Sequence, residues 1–338
     1  MSKWTEKNEG LGSDNKLHRV ATGIDDNYLG PFLVMLYSAW KSSSQRFELI
    51  VGFNSSTLST SSRSLIQDSA NALGVSVEFV EVNVPAEISS EGHISPSAFI
   101  RLLLADILEE TFVWLDSDLV CEEGWEELLS LKVASPNIIL YAAYDPIANI
   151  EWEKSNNASV RNSKGRYFNS GVMVLDAKAW SRLGFPAKWR SLIKKYGDYN
   201  FQWADQCVIN YLATQNFMPL RQELNFQEQV RNMQLKCVAS IRHFSGPIKP
   251  WHYKSIGPLV WSGPFSQKSV RRYLELQSNF QSLIRNNVAL SQSLEPVWKS
   301  ANLVISQVPS YLHVAIAMRL SELKLRIRFF TKKLKTKS

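Results

Sequence analysis

The segment with the clearest chemical potential is a run of apolar residues that ends in two carboxylates, Asp116 and Asp118. On a buried strand, side chains alternate between the two faces, so acids at positions i and i+2 point to the same side. Open α/β sheets bind ligands at the carboxyl ends of their strands. Paired carboxylate oxygens there suit Mg²⁺ or Mn²⁺ carrying the phosphates of a substrate. Taken alone, the pattern also fits a surface turn after a strand.

Two polar groups precede this segment. Asp25-Asp26-Asn27-Tyr28 follows the first predicted strand, where it could hold a base and a ribose. Capping of a helix by Asp25 or Asp26 is an equally good interpretation of that group. Arg101 is flanked by apolar residues on a predicted helix, where a solvated arginine is the default expectation.

Three polar groups follow it. Asn169-Ser170-Gly171 interrupts a β-rich run, and glycine within a strand marks a bulge or the close approach of a ligand. Asp205-Gln206 begins a predicted helix, where an acid also suits the helix dipole. His243 could give a nitrogen ligand to the cation, and Lys249 could pair with a diphosphate. A histidine beside a phenylalanine is otherwise more often a hydrogen-bonded structural residue.

Predicted strands alternate with predicted helices, which is typical of βαβ units and a mostly parallel sheet flanked by helices. The strands are predicted at 17–23, 47–53, 75–82, 112–115, 137–143 and 166–175. The helices are predicted at 28–40, 65–73, 95–108, 180–196, 203–213, 267–285 and 309–335, with a polar loop at 145–165. We therefore expect a polar segment 1–16, an α/β domain 17–265 and a helical extension 266–338.

Composition places the chain among globular proteins, with 45% hydrophobic and 11% aromatic residues in 338. The first 16 residues are polar and lack the apolar centre of a secretory signal. No run of 18 or more apolar residues occurs, so a membrane-spanning helix is not expected. The three cysteines have no metal-ligand spacing and favour a reducing compartment. These features predict a cytoplasmic protein.

The net charge of +7 is concentrated at the C-terminus. Eight of the 38 Lys and Arg residues and one of the 31 acids lie from Arg319 onward, so residues 1–318 carry 30 of each sign. This equal number of basic and acidic residues does not indicate that residues 1–318 bind nucleic acid. The sequence pattern of residues 310–338 instead predicts a basic amphipathic helix. Such a helix favours peripheral binding to the anionic inner face of the cytoplasmic membrane. The alternatives are that this helix packs on the α/β domain or forms a homo-oligomer contact.

These clusters of polar residues, taken together and in order, resemble the sequence motifs of glycosyltransferase family 8. The matching motifs lie between residues 17 and 261: Asp25-Asp26-Asn27-Tyr28, His93…Arg101, Leu115-Asp116-Ser117-Asp118, Phe168-Asn169-Ser170-Gly171, Asp205-Gln206 and His243-Phe244-Ser245-Gly246-Pro247-Ile248-Lys249-Pro250-Trp251. This ordered set is far more specific than Asp-X-Asp alone. The resemblance is strongest to the bacterial lipopolysaccharide galactosyl- and glucosyltransferases, which are retaining, metal-dependent enzymes of the GT-A fold.

This resemblance implies roles for the site residues. Mn²⁺, or Mg²⁺, would be bound by Asp116, Asp118 and His243. The UDP-hexose would be bound by Gly23, Asp25, Asn27, Arg101, Asp116, Ser117, Asp118, Asn169, Gly246 and Lys249. The candidates for catalysis are Asp145, Asp205 and Gln206, and His93 would lie near the acceptor.

Three positions depart from the family pattern without removing a metal ligand: Ile24, Phe99 and Cys207. The resemblance thus implies retaining transfer of galactose or glucose from UDP-sugar to a glycan, in the synthesis of lipopolysaccharide or another envelope polysaccharide. A transferase with only hydrolytic turnover, or a catalytically silent membrane- or sugar-binding protein, are the alternatives. Retention needs either a carboxylate nucleophile, with Asp145 or Asp205 as candidates, or attack from the leaving-group face, which we favour.

Overall fold

The structure is a computed structural model. It describes residues 17–85, 88, 96–133, 135–151, 153, 155–196, 201, 203–234, 237–246, 249–252 and 266–300. The polar segment 1–16, His93 and the basic helix predicted at 309–335 lie outside the described residues.

The described chain is an α/β structure with ten strands in two sheets. The strands are β1 (His18–Gly23), β2 (Phe47–Phe53), β3 (Val77–Glu81), β4 (Thr111–Leu115), β5 (Leu119–Cys121), β6 (Leu140–Tyr144), β7 (Phe168–Asp176), β8 (Phe217–Pro219), β9 (Phe226–Gln227) and β10 (Ile241–His243). The central sheet has the order β3-β2-β1-β4-β7-β6-β8, and a small sheet has the order β5-β10-β9. In the central sheet only β7 runs against its neighbours. The predicted, mostly parallel sheet is confirmed.

Ten α-helices flank these sheets in the described residues. They are α1 (Leu29–Ser42), α2 (Thr60–Leu73), α3 (Ile100–Ile107), α4 (Pro146–Glu151), α5 (Ala158–Ser163), α6 (Ala177–Arg182), α7 (Phe185–Tyr196), α8 (Ala204–Ala213), α9 (Gln267–Ile284) and α10 (Val288–Ser300).

Local sequence explains the better-predicted elements. Strand β2 is buried at all but one position, which is typical of a parallel strand covered on both faces. Helix α2 begins after Ser59, whose side chain accepts a hydrogen bond from the Ser62 amide, and it ends at Gly74, where φ is +70°. Each of these signals lies within a few residues of the element that it bounds.

The structure corrects three expectations. The helix predicted at 180–196 is two helices, because the chain turns at Gly184 with φ +71°. The loop predicted at 145–165 contains the short helices α4 and α5. Helix α10 was not predicted, since its Pro296 and mixed polarity obscure the helical period.

The described part of the C-terminal extension packs on the α/β domain. The Phe280 ring of α9 lies 5.6 Å from the Tyr37 ring of α1, centroid to centroid. Arg272 of α9 forms an ion pair of 2.9 Å with Glu122, which follows β5. Apolar residues of α9 and α10 belong to the same core cluster as α1 and β2. Helices α9 and α10 therefore help to close the face of the sheet that α1 covers.

Candidate functional site

Strand pairing brings the two aspartates and the histidine together. Asp116 and Asp118 lie in the turn between β4 and β5. Strand β5 pairs antiparallel with β10, with Leu119 opposite His243. The Phe244 amide donates to the Asp118 carbonyl at 3.1 Å. The small sheet thus carries His243 to the side of Asp118, as the family resemblance implied.

The three side chains converge around a space about the size of a cation. The Nε2 atom of His243 lies 3.4 Å from Asp118 Oδ1 and 4.0 Å from Asp116 Oδ2. One ligand atom from each residue lies within 4.8 Å of the others. Two carboxylates and one imidazole nitrogen form a donor set that fits a divalent cation and leaves positions for phosphate oxygens.

Arg101 is buried at the centre of the site. Its side chain is 7% exposed, so the default expectation of a solvated arginine is wrong. The guanidinium forms ion pairs of 2.9 Å with Asp116 and 2.8 Å with Asp205. It also donates to the Ser170 carbonyl at 2.5 Å and to the Ser170 hydroxyl at 2.7 Å. Arg101 therefore fixes the positions of two acids that were predicted as site residues.

Asp205 has a perturbed carboxyl group. Burial raises the pKa of Asp205 to about 7, Arg101 opposes the shift, and Asp116 adds to it. Since Asp205 is 3% exposed, its carboxyl group in the folded state retains, up to about pH 7, a proton that the unfolded chain releases near pH 4. This proton links folding to pH.

Asp205→Asn should reveal this linkage. Between pH 5 and 7 the folded wild type binds more protons at this site than the unfolded chain, so its stability relative to the variant falls as pH rises. Between pH 5 and 8, we expect the unfolding free energy of the wild type to fall by about 2–3 kcal/mol relative to that of the variant. Urea unfolding at several pH values measures it. Only the pH-dependent change is diagnostic, because the variant also removes a partner of Arg101. A difference independent of pH would contradict the assignment.

Lys249 is buried against the same aspartate pair. Its ammonium donates to Asp118 Oδ2 at 2.6 Å and to the Phe244 carbonyl at 2.9 Å. Although burial opposes the change, Asp118 raises the pKa of Lys249. Burial likewise opposes ionisation of Asp118, yet Lys249 and His243 hold the pKa of Asp118 well below its usual range. Gly246 has φ +88°, in the left-handed region that favours glycine.

Gly171 makes room for the histidine ring. A Cβ atom at this position of β7 would lie 2.3 Å from His243 Cε1 and 2.9 Å from Asp116 Oδ2. The glycine was predicted to mark a bulge or the approach of a ligand. The structure shows an irregularity of this kind, because the pairing of β7 with β6 shifts register between Phe168 and Met173. The close approach is that of a candidate ligand side chain, His243, and the Gly171 carbonyl accepts from the Asp116 amide at 2.9 Å.

Gly171→Ala should therefore weaken metal binding. The added methyl group must displace the His243 ring or the Asp116 carboxylate, so we expect Mn²⁺ affinity to fall about 10–100-fold, as for other changes that misplace a ligand. Electron paramagnetic resonance of free Mn²⁺ measures the affinity. The control is Gly30→Ala in α1, where the nearest atoms lie 3.5 Å or more from the new Cβ. Equal affinities of the two variants would contradict the steric argument.

Side-chain amides link the remaining central residues. Asn169 Nδ2 donates to Gln206 Oε1 at 3.1 Å, and the Ser170 amide donates to the same oxygen at 3.1 Å. Asn225 Nδ2 donates to Asn169 Oδ1 at 2.9 Å. The Asn225 oxygen lies 2.9 Å from Nδ1 of His243. Asn225 was not predicted, because it belongs to no motif; its one signal is a lone amide between Leu224 and Phe226.

The other predicted site residues lie around this centre or at its edge. Asp145 is buried and its Oδ1 accepts from two amides of α4 at 3.0 Å each, while burial raises its pKa. Asp25 accepts from the Asn27 amide at 3.1 Å, and the side chain of Asn27 is exposed. A Cβ on Gly23 would meet Ile100 at 2.9 Å, which gives this glycine a packing role. Ser117 lies buried between the two aspartates of the turn.

Comparison with known proteins adds to this geometry. The Glycosyl transferase family 8 profile matches residues 19–255. General stress protein A of Bacillus subtilis is 24% identical over 270 residues, which cover 73% of this chain and 92% of that protein. A lipopolysaccharide 1,2-glucosyltransferase of Escherichia coli is 22% identical over 264 residues, which cover 71% of this chain and 74% of that protein.

A solved structure has the same fold. The galactosyltransferase LgtC, in complex with donor and acceptor sugar analogs, superposes with a TM-score of 0.61 at 20% identity. The match covers 77% of this chain and 95% of LgtC. This likeness confirms the GT-A fold that the sequence predicted. In the part of the chain that the structure describes, no helix has the length and apolar character needed to cross a membrane.

Proposed function

The chain belongs to glycosyltransferase family 8, and we propose that it transfers galactose or glucose from a UDP-sugar to a glycan acceptor with retention of configuration. The acceptor would belong to lipopolysaccharide or another cell-envelope polysaccharide. The similarity to the E. coli lipopolysaccharide 1,2-glucosyltransferase and to the galactosyltransferase LgtC supports a hexose donor. The observation that carries the proposal is the convergence of Asp116, Asp118 and His243 beside Lys249.

In this proposal the two aspartates and His243 hold Mn²⁺, or Mg²⁺, at the turn between β4 and β5. The bound cation would neutralise charge on the diphosphate of the donor. Arg101 holds Asp116 in place through an ion pair of 2.9 Å, so that one carboxylate oxygen remains directed toward His243. The donor set alone supports a divalent cation; the preference for Mn²⁺ comes from the family.

Binding of UDP would involve residues on both sides of this turn. Asp25 and Asn27, at the end of β1, would contact the uridine, and Gly23 precedes them in the same strand end. Gly246 and Lys249 would contact the phosphates. The buried ammonium of Lys249 is fixed by the Phe244 carbonyl, so it can stabilise negative charge on departing UDP without a large rearrangement.

The two candidate nucleophiles, Asp145 and Asp205, are both engaged in contacts with the protein. This arrangement favours retention by attack from the leaving-group face. The Asp205 carboxylate is engaged by Arg101 at 2.8 Å, and Asp145 Oδ1 accepts from two helix amides. Gln206 Oε1 accepts from Asn169 and from the Ser170 amide. These contacts favour positioning roles over nucleophilic attack. The bond from the anomeric carbon to phosphate would break as the acceptor oxygen bonds, and a phosphate oxygen would take the acceptor proton.

A panel of UDP-sugars tests the proposal. Purified protein with Mn²⁺ should release UDP from UDP-galactose or UDP-glucose, and a glycan acceptor should accelerate the release. Product analysis by NMR should show the anomeric configuration of the donor retained. UDP release that no envelope glycan accelerates would favour the hydrolytic alternative. No release from any UDP-hexose would favour the catalytically silent alternative and contradict the proposal.

We also propose that residues 310–338, the basic tail of the helical extension 266–338, hold the enzyme on the inner face of the cytoplasmic membrane. The support is the sequence pattern, in which eight basic residues flank an apolar stripe. Deleting residues 319–338 should release the protein from vesicles that contain anionic lipid and spare turnover of a soluble acceptor. Unchanged vesicle binding would contradict this anchor.

A further inference from the structure

Asn225 lies outside every motif of the site, yet it touches a candidate metal ligand. It is fully buried, with 0% of its surface exposed. Its oxygen lies 2.9 Å from His243 Nδ1, and its amide nitrogen lies 2.9 Å from Asn169 Oδ1. The residue thus joins the histidine of β10 to the asparagine of β7 through hydrogen bonds at both ends of its side chain.

One backbone amide fixes the direction of these hydrogen bonds. The Gly171 N–H donates to Asn169 Oδ1 at 3.0 Å, and a backbone N–H can only donate. The end of Asn169 that faces Asn225 must therefore be its oxygen. Asn225 must turn its NH₂ group to that oxygen, which leaves its own oxygen toward His243.

This direction determines the tautomer of His243. The Asn225 oxygen can only accept, so Nδ1 of His243 must carry the hydrogen. In a neutral imidazole the other nitrogen, Nε2, then has a free lone pair. Nε2 is the atom that lies 3.4 Å from Asp118 and 4.0 Å from Asp116. The opposite tautomer would place a hydrogen in the cation position and leave the buried Asn225 oxygen without a donor.

We infer that Asn225 is a positioning residue that holds His243 with Nε2 unprotonated and directed at the aspartates, ready to bind a divalent cation. The chain of contacts runs from the Gly171 amide through Asn169 and Asn225 to His243. Every member is buried, so water does not compete for these groups. The inference rests on the proposed function only in taking His243 as a metal ligand.

The tautomer can be measured in the metal-free protein. In protein labelled with ¹⁵N-histidine, long-range ¹H–¹⁵N spectra distinguish Nδ1–H from Nε2–H, and His243→Gln identifies the resonance among five histidines. The spectra are recorded at a pH where the ring is neutral, and there we expect the Nδ1–H form. The Nε2–H form in the wild type would overturn the inference whether or not the protein transfers sugar. Nδ1–H in a protein without UDP-sugar turnover would support it and contradict the proposed function.

Two variants of Asn225 separate hydrogen bonding from packing. Asn225→Leu has the same number of side-chain heavy atoms, branched at the same carbon, and no acceptor, whereas Asn225→Asp still accepts from Nδ1–H. We expect the leucine variant to lose the Nδ1–H tautomer and to bind Mn²⁺ alone about 10–100-fold more weakly, by electron paramagnetic resonance. The aspartate variant should keep the tautomer. Wild-type tautomer and Mn²⁺ affinity in a folded Asn225→Leu, or loss of the tautomer in both variants, would overturn the inference.

Discussion

Asp118→Asn should lower Mn²⁺-dependent release of UDP from the UDP-sugar about 10³-fold or more. The amide keeps the shape of the side chain and loses the negative charge that a cation needs from this position. Lys249, 2.6 Å away, also loses its charged partner. Loss of one preorganised electrostatic contact at a reacting group costs about 10²–10³ in rate, and this substitution impairs two such groups together.

The measurement is initial UDP release at saturating Mn²⁺, with Mn²⁺ affinity determined separately. Asp116→Ala should cause a loss of the same order, because Asp116 is the second oxygen ligand. Asp176→Asn is the matched control, since Asp176 caps α6 through the Ala179 amide and asparagine caps a helix equally well. Wild-type turnover in either metal-site variant would show that the cation is not bound here.

Much of this site was predictable because its two acids follow local rules. Both acids directly follow β4, and the ends of parallel strands meet at one edge of a sheet. They lie in the turn before β5 and not on a strand, so the alternation of strand side chains that predicted their common side does not apply to them. The elements from β1 to β4 were predicted within a few residues, since hydrophobic period and capping residues are local signals. His243 required the family pattern, because only strand pairing between β5 and β10 brings it to the turn.

What the sequence did not indicate depends on contacts between distant segments. The burial of Arg101 follows from two acids, one on the β4–β5 turn and one on α8, which no local pattern pairs. The reversed direction of β7 follows from pairing with both β4 and β6. Gly171 is needed because of the His243 ring. In each case the physical reason for the residue lies in a neighbour far along the chain.

Lys249→Met should lower turnover about 10²–10³-fold, because it removes a fixed positive charge from the proposed leaving group. It should also alter the dependence of metal binding on pH. Lys249 and His243 together hold the pKa of Asp118 well below its usual range, against burial. Without the ammonium, that pKa rises, so protons compete with the cation for Asp118 at higher pH. Mn²⁺ affinity of the variant should therefore fall more steeply than that of the wild type as pH is lowered.

Stability provides the control for this substitution. Removing one member of a buried ion pair costs about 3–5 kcal/mol, because the other charge remains buried without compensation. The double variant Lys249→Met with Asp118→Asn removes both charges, so its melting temperature should recover most of this loss. Turnover of the double variant should stay as low as that of Asp118→Asn, since neither charge is restored. Recovery of turnover together with stability would show that the pair supports folding alone, and would remove Lys249 from the proposed phosphate site.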